Sequence, residues 1–558
     1  YEISCSLVGS EMCIRDSYMP ENTTVPVPAT LELCGHGLNG KGPSSHAAML
    51  MASNGIAVLV VDPIGQGERL QIIDREGKPL TRGATTEHTL LNAGFNLLGT
   101  SLAAQEYWDN HRALDYLLTR KDIDPEHIGV YGSSGGGTQT AYYIGLDPRV
   151  KVAAICSFFS TRERTMELQG PSDGCQHIPY EGREQLEVPD FALMMAPRPL
   201  LILSGKYDFV DLWGAQQGFA ELQQCYKVLG VPEKVDMLTV ETGHGLGAEK
   251  RQKLASWFKR WLKDNQSPVK KAAQDRFQLS DMLCTTKGQV NVSMPGALSI
   301  MQENVNQLDE WASKRETFLS KGKKTVQTKM LDLLGLKGLP DHKIRIEATG
   351  HDSMREYEQY KFQLIREGEM PVPCILIMPS RANADSPIEL RLQEEGKGTY
   401  LSEYANFAAA LTEGKILLLA DLRGLGETTD PAFYTDAKYW NREYRNAMIS
   451  MHIGRPIMGQ RVVDILTLLD FCSEHELLKG HPVKVFANGI YGPAVIHAAY
   501  LDERINSVEI THSVKTWKEY IEKPMQWDMY SNVLYGALKY YDLPDLIRLS
   551  NRPIRFAD

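Results

Sequence analysis

Short, almost wholly apolar runs recur along the chain, each closed by glycine or a polar residue. They are Ala29–Leu33, the VLVV stretch from Val58, Ile128–Tyr131, Ala153–Cys156, Leu200–Leu203 and Val235–Val240. Runs this short, with little polar alternation, predict strands buried on both faces of a mostly parallel sheet. Between and after them lie helical stretches such as Thr138–Gly145 and Glu249–Leu262. Further along, Leu298, Met301, Val305, Leu308 and Trp311 fall at helical spacing and predict an amphipathic helix. Strands alternating with helices predict an α/β fold in which helices flank the sheet.

The pattern occurs twice. VYGSSGGGTQTAYYIGLDPRV (Val130–Val150) corresponds to VFANGIYGPAVIHAAYLDERI (Val485–Ile505): a strand, a tight turn, a helix, then Leu-Asp-x-Arg and an apolar residue. Upstream, VLVVDPIGQGE (Val58–Glu68) matches LLLADLRGLGE (Leu417–Glu427). Downstream, Pro189-Asp190 with Arg198-Pro199 matches Pro544-Asp545 with Arg552-Pro553. Three matches in the same order predict tandem copies of one fold, over residues 18–262 and 344–558. Residues 263–343 join them, opening on the polar KDNQSPVKKAAQD and carrying the amphipathic helix, which is expected to dock on a domain.

Residues 1–17 stand apart. Ser4–Ser17 resembles translated sequencing-adaptor sequence and has neither strand nor helix period, so a leader foreign to the fold is expected. Both copies are expected to be truncated. The first keeps only Tyr18-Met19-Pro20 of a strand that the second has as Ile375–Pro379, after another at Tyr360–Arg366. The second ends just after Arg552-Pro553, where the first goes on to two more strands.

Composition narrows the partners. With 558 residues, 43% hydrophobic and 23% charged, each half can build a core. A formal net charge of −10 offers no basic footprint and argues against nucleic acid. No apolar run approaches the roughly 18 residues of a membrane span. Nine cysteines without a CxxC pair indicate neither a zinc knuckle nor a disulfide framework. Periplasmic or secreted export stays open, because a signal could be lost with the natural start.

The first copy carries chemistry. Gly132-Ser133-Ser134-Gly135-Gly136 fits G-x-S-x-G between a strand and a helix, the turn that lifts a serine hydroxyl above the sheet of an α/β hydrolase. A serine needs a base, and the base an orienting carboxylate, in the chain order Ser, acid, His. Asp208 follows the strand Leu200–Leu203, with Asp211 as the alternative acid; His244 follows Val235–Val240 between two glycines. For the oxyanion, the amide of Gly135 is one expected donor. The amide of Leu38, in the loop Cys34-Gly35-His36-Gly37-Leu38-Asn39-Gly40, is the other. His36 and Gly37 are read as shaping this loop. Asp62, Gly65, Gly67 and Glu68 are read as a scaffold turn, with Glu68 as an alternative wall of the site. Cys175 and His177, in Asp173–His177, either contact substrate or sit on a plain surface loop. No metal set has ligand spacing, and no cofactor is indicated.

These motifs identify residues 18–262 as similar to the acetyl xylan esterase and dienelactone hydrolase-like branch of the α/β-hydrolase superfamily, which borders the prolyl oligopeptidases. The resemblance rests on GHGLNGKG (Gly35–Gly42), DPIGQGE (Asp62–Glu68), YGSSGGG (Tyr131–Gly137), APRPLLILSGKYD (Ala196–Asp208) and TGHG (Thr242–Gly245). It implies a serine carboxylic ester hydrolase that deacylates a plant or algal polysaccharide. A prolyl oligopeptidase-like peptidase, and a non-catalytic glycan-binding scaffold, are the alternatives. The second copy departs from the pattern: Gly489 stands at the position of Ser134, and Gln393-Glu394-Glu395-Gly396 replaces Cys34-Gly35-His36-Gly37. A degenerate domain is expected there, packing against the first or binding substrate.

Overall fold

A computed structural model describes residues 2–7, 14–272, 279–431 and 439–557. The apolar runs of the first half pair side by side in an eight-stranded sheet. Its strands are β1 (Glu2–Leu7), β2 (Ile14–Met19), β3 (Val27–Leu33), β4 (Ala57–Val61), β5 (Ile123–Ser133), β6 (Val152–Cys156), β7 (Leu200–Gly205) and β8 (Val235–Val240). The order is β1-β2-β4-β3-β5-β6-β7-β8. β1, β2 and β4 pair antiparallel; from β4 to β8 every pair is parallel.

The central strands are apolar throughout because both faces are covered. Leu31, Leu59, Val130, Ile155 and Ile202 point into one core, and Val58, Val60, Tyr131, Ala154, Leu201 and Leu203 into the other. Four helices matter for the site: α1 (Ser45–Ser53), α2 (Ala84–Leu97), α3 (Leu102–Thr119) and α4 (Gly135–Ile144). α1 and α4 lie in crossovers between neighbouring parallel strands, and α2 and α3 in the crossover from β4 past β3 to β5.

The second half forms another eight-stranded sheet. It holds β9 (Arg345–Ser353), β10 (Tyr357–Ile365), β11 (Val372–Pro379), β12 (Ile388–Leu392), β13 (Ile416–Ala420), β14 (Val483–Asn488), β15 (Ile505–Thr511) and β16 (Ile554–Phe556). In the order β16-β15-β14-β12-β13-β11-β10-β9, the run β13-β12-β14-β15-β16 reproduces β4-β3-β5-β6-β7. The repeat therefore extends to local bonding. Asp62 accepts from the amides of Lys41 (2.7 Å) and Glu68 (3.0 Å); Asp421 accepts from those of Lys397 (2.7 Å) and Glu427 (2.9 Å). In both copies a positive-φ glycine, Gly67 or Gly426, lies where a Cβ would run into that aspartate.

One feature differs from the reading of the sequence. Residues 2–7 and 14–19 are strands although they lack a strand period. β2 gains its place from pairing with β4, and Asp16 is buried against Lys41 Nζ at 3.0 Å. The joining segment is divided between the two compact units. Compact units comprise Tyr1–Asn92 with Ser101–Glu303, and Ala93–Thr100 with Asn304–Asp558. The amphipathic helix runs Ile300–Leu319 and buries Val305 and Leu308. Leu298, counted in its apolar stripe, lies outside the helix and is exposed.

Candidate active site

Ser134 stands between the end of β5 and the first residue of α4, at φ 60° and ψ −123°. A non-glycine residue reaches this conformation only when its surroundings impose it. Here the Ser134 amide donates to Cys156 O at 3.0 Å, and Ser134 O accepts from the Thr138 amide at 3.0 Å. The flanking glycines permit the approach of strand and helix: a Cβ on Gly136 would collide with the Leu33 carbonyl, and one on Gly132 with the Gly136 carbonyl. Gly135 opens α4, so its amide is among those with no acceptor inside the helix.

The loop after β3 runs directly beside the serine. A Cβ on Gly35 would lie 2.7 Å from Ser133 O and 3.5 Å from Ser134 Cβ. The loop is held from outside, by Gln66 Nε2 donating to Gly35 O (2.9 Å) and Gln139 Nε2 to Cys34 O (3.3 Å). Leu38 is half-buried on this loop, and its carbonyl accepts from the Gly67 amide at 3.1 Å. The His36 ring lies against Gly135, 2.7 Å from where a Cβ would stand.

His244 and Asp208 come together at the ends of β8 and β7: His244 Nδ1 lies 2.7 Å from Asp208 Oδ1. Asp208 is almost fully buried at its side chain, which by itself raises its pKa. Hydrogen bonds from His244 and from the Val210 amide outweigh this and hold it below the usual aspartate value. Asp211, the alternative acid, is engaged elsewhere. It caps the helix Leu212–Val228 by accepting from the Gly214 amide (2.6 Å) and pairs with Arg164 (3.3 Å).

Several contributing residues carry no sequence signal. Ser157, at φ 48°, accepts through Oγ from the Gly245 amide and from Lys250 Nζ, both at 3.0 Å. Lys250 also donates to Gly245 O at 3.0 Å, so the buried Ser157–Lys250 pair pins the histidine loop. Phe209 stacks on His244 with ring centroids 4.2 Å apart, and Tyr207, Phe209 and Trp213 are all exposed nearby in the sequence. A hydrophobic pattern scan registers none of these, because each acts through a neighbour brought in by the fold.

The remaining candidates take other positions. Glu68 is buried and accepts from the Cys284 amide (2.8 Å), the Thr285 amide (2.8 Å) and Thr285 Oγ1 (2.7 Å), so it braces a later segment of the same unit. A Cβ on Gly37 would meet open space. Cys175 and His177 are buried, not on an open surface loop. Spacing along the chain shows no metal set; the fold nevertheless gathers His36, His88, Asp173 and Cys175.

In the second unit Gly489 has φ 60°, as Ser134 does, but no hydroxyl. The amide of Ile490, in the position of Gly135, donates to Glu394 Oε2 at 3.1 Å. A carboxylate thus takes the amide that corresponds to the expected oxyanion donor of the first unit. The cavity above this turn, about 660 Å³, is lined by Glu394, Arg442, Gly489, His512, Trp527 and Asp528 among others.

Residues 3–179 match the sequence model of the acetyl xylan esterase family, and residues 98–265 that of the prolyl oligopeptidase family. The putative hydrolase YtaP of Bacillus subtilis is 26% identical over 270 residues, covering 46% of this chain and 86% of that protein. Among solved structures, methylesterase BT1017 aligns at 21% identity and TM-score 0.39, over 54% of this chain and 63% of its own. A putative acetyl xylan esterase from Bacteroides fragilis aligns at 14% identity and TM-score 0.37, over 44% of this chain and 68% of its own.

Proposed function

We propose that this chain, an α/β hydrolase acting on esters, removes acyl groups from a polysaccharide through Ser134, His244 and Asp208. The observation that carries the reading is the strained Ser134 at the head of α4, together with the 2.7 Å bond between His244 and Asp208. With Nδ1–H donated to Asp208, His244 Nε2 is left to accept the serine proton. Ser134 Oγ attacks the ester carbonyl, and the amides of Gly135 and Leu38 receive the developing oxyanion. His244 then protonates the leaving alcohol, and water releases the acyl group from Ser134 by the same steps in reverse. Ionised Asp208 stabilises the imidazolium each time.

The sugar portion of the reading draws on Tyr207, Phe209 and Trp213, exposed on the segment that carries Asp208. Flat aromatic faces beside a reacting centre suit the apolar face of a sugar ring. In the second unit, Gly489 and Glu394 favour a non-catalytic role such as holding glycan. The match to the prolyl oligopeptidase family supports a second reading, a peptidase using the same three residues.

The test is acyl release from acetylated xylan and pectin, run beside proline-containing peptides, with fluorophosphonate labelling mapped by mass spectrometry. The expected result is ester cleavage, label on Ser134, and loss of both in Ser134→Ala. Full activity in Ser134→Ala would sink the mechanism; cleavage of peptides in preference to esters would favour the second reading.

A further inference from the structure

Below the oxyanion loop, side chains from three distant segments of the first unit meet. His36 comes from the loop after β3, His88 from α2, and Asp173 and Cys175 from a turn before β7. Each offers a ligand atom, and these atoms all lie within 4.8 Å of one another. Cys175 Sγ is central: it stands 3.1 Å from His36 Nε2, 3.3 Å from His88 Nδ1 and 3.2 Å from Asp173 Oδ1. The carboxylate of Glu106 on α3 is buried against the same cluster. Its Oε1 has no hydrogen-bond partner among the described residues and lies 3.8 Å from His88 Nδ1.

We propose that His36, His88, Asp173 and Cys175 form a site for a divalent transition metal of the zinc type. The assignment rests on the geometry of this cluster and is independent of the ester reading. Two imidazoles, a thiol and a carboxylate are the donor types that bind zinc with four protein ligands. Zinc distances of about 2.0–2.3 Å in a tetrahedron place neighbouring ligand atoms on the order of 3.5 Å apart, close to the spacing around Sγ. His88 has the outer-shell bond expected of a ligand: its other nitrogen, Nε2, faces Ile64 O at 2.8 Å.

Charge supports the same assignment. The Asp173 carboxylate and a Cys175 thiolate would be two buried anions in one cluster, and none of the four ligands is a lysine or arginine. A dication compensates both. It binds one thiolate and one carboxylate as a neutral unit, and the thiol proton leaves to solvent. Four protein ligands close the coordination shell, which assigns the metal a structural task. It ties His36, and with it the loop beside Ser134, to α2 and the turn at Cys175.

The experiment uses the full chain, stripped with a chelator and dialysed against zinc(II) or cobalt(II) alone. One retained metal per chain is expected. Cobalt should give tetrahedral visible bands and a thiolate-to-cobalt band in the near ultraviolet. Cys175→Ser should remove that near-ultraviolet band, and His88→Gln should weaken retention at least tenfold. Absence of a thiolate–cobalt band in the unmutated chain overturns the proposal and requires no variant. Unchanged stoichiometry and spectrum in soluble Cys175→Ser or His88→Gln overturns it equally.

Discussion

Two aspartates three residues apart have been given different work by their neighbours. Asp208 meets His244, while Asp211 caps a helix and meets Arg164. Asp208→Asn should lower kcat by about 10³–10⁴-fold, because an amide fails to stabilise the imidazolium and favours the wrong tautomer. Asp211→Asn should leave kcat within a few-fold, and Asp211→Ala should cost about 1 kcal/mol of stability through loss of the cap. Steady-state kinetics with urea unfolding of the three variants checks both. If Asp211→Asn is the one that abolishes turnover, the acid is misassigned.

The strands surrounding the elbow carry a prediction of their own. Glu32 on β3 is buried and accepts from Tyr131 OH on β5 at 2.6 Å. Burial, only partly offset by that bond, lifts its pKa to about 8. A carboxyl whose folded pKa is raised binds its proton more tightly in the native state. Its contribution is therefore complete below the unfolded value near 4.5 and declines as pH rises through about 8. Thermal unfolding should show the native chain softening between about pH 5 and 8, and Glu32→Gln should flatten that slope. A slope identical in both proteins would remove Glu32 as its origin. At the next turn, Gly136→Ala would force a Cβ into the Leu33 carbonyl. It should destabilise the fold by on the order of 3 kcal/mol, measured by the same unfolding.

Across the molecule, one architecture is used twice with different residues at the turn. The second unit retains the positive-φ turn, the aspartate clamp and the sheet order, yet Glu394 bonds the amide that would receive an oxyanion. Restoring the hydroxyl alone is therefore insufficient. Gly489→Ser in a Ser134→Ala background should remain unlabelled by fluorophosphonate, because the new Cβ would overlap Glu394 Oε2. Label recovered on the peptide that carries this substitution would overturn this account of the second unit.

Sequence by itself determined the elements that local patterning encodes. Apolar runs mark strands covered on both faces, and glycines around Ser134 mark a turn where only backbone fits. Repetition of Asp-x-x-Gly-x-Gly-Glu at Asp62 and Asp421 marks two copies of one fold. Tertiary structure alone decided what long-range contacts encode. It put Asp208, the acid expected from sequence, and not the alternative Asp211, within a hydrogen bond of His244. It turned Glu68 into a brace, put Ser157 and Lys250 behind the histidine loop, and brought β2 into the sheet through pairing that needs no side-chain period. It also gathered His36, His88, Asp173 and Cys175 from segments too distant for any spacing rule. Local geometry depends on neighbours in the chain and can be read from them; a buried polar cluster depends on which segments the sheet order makes adjacent.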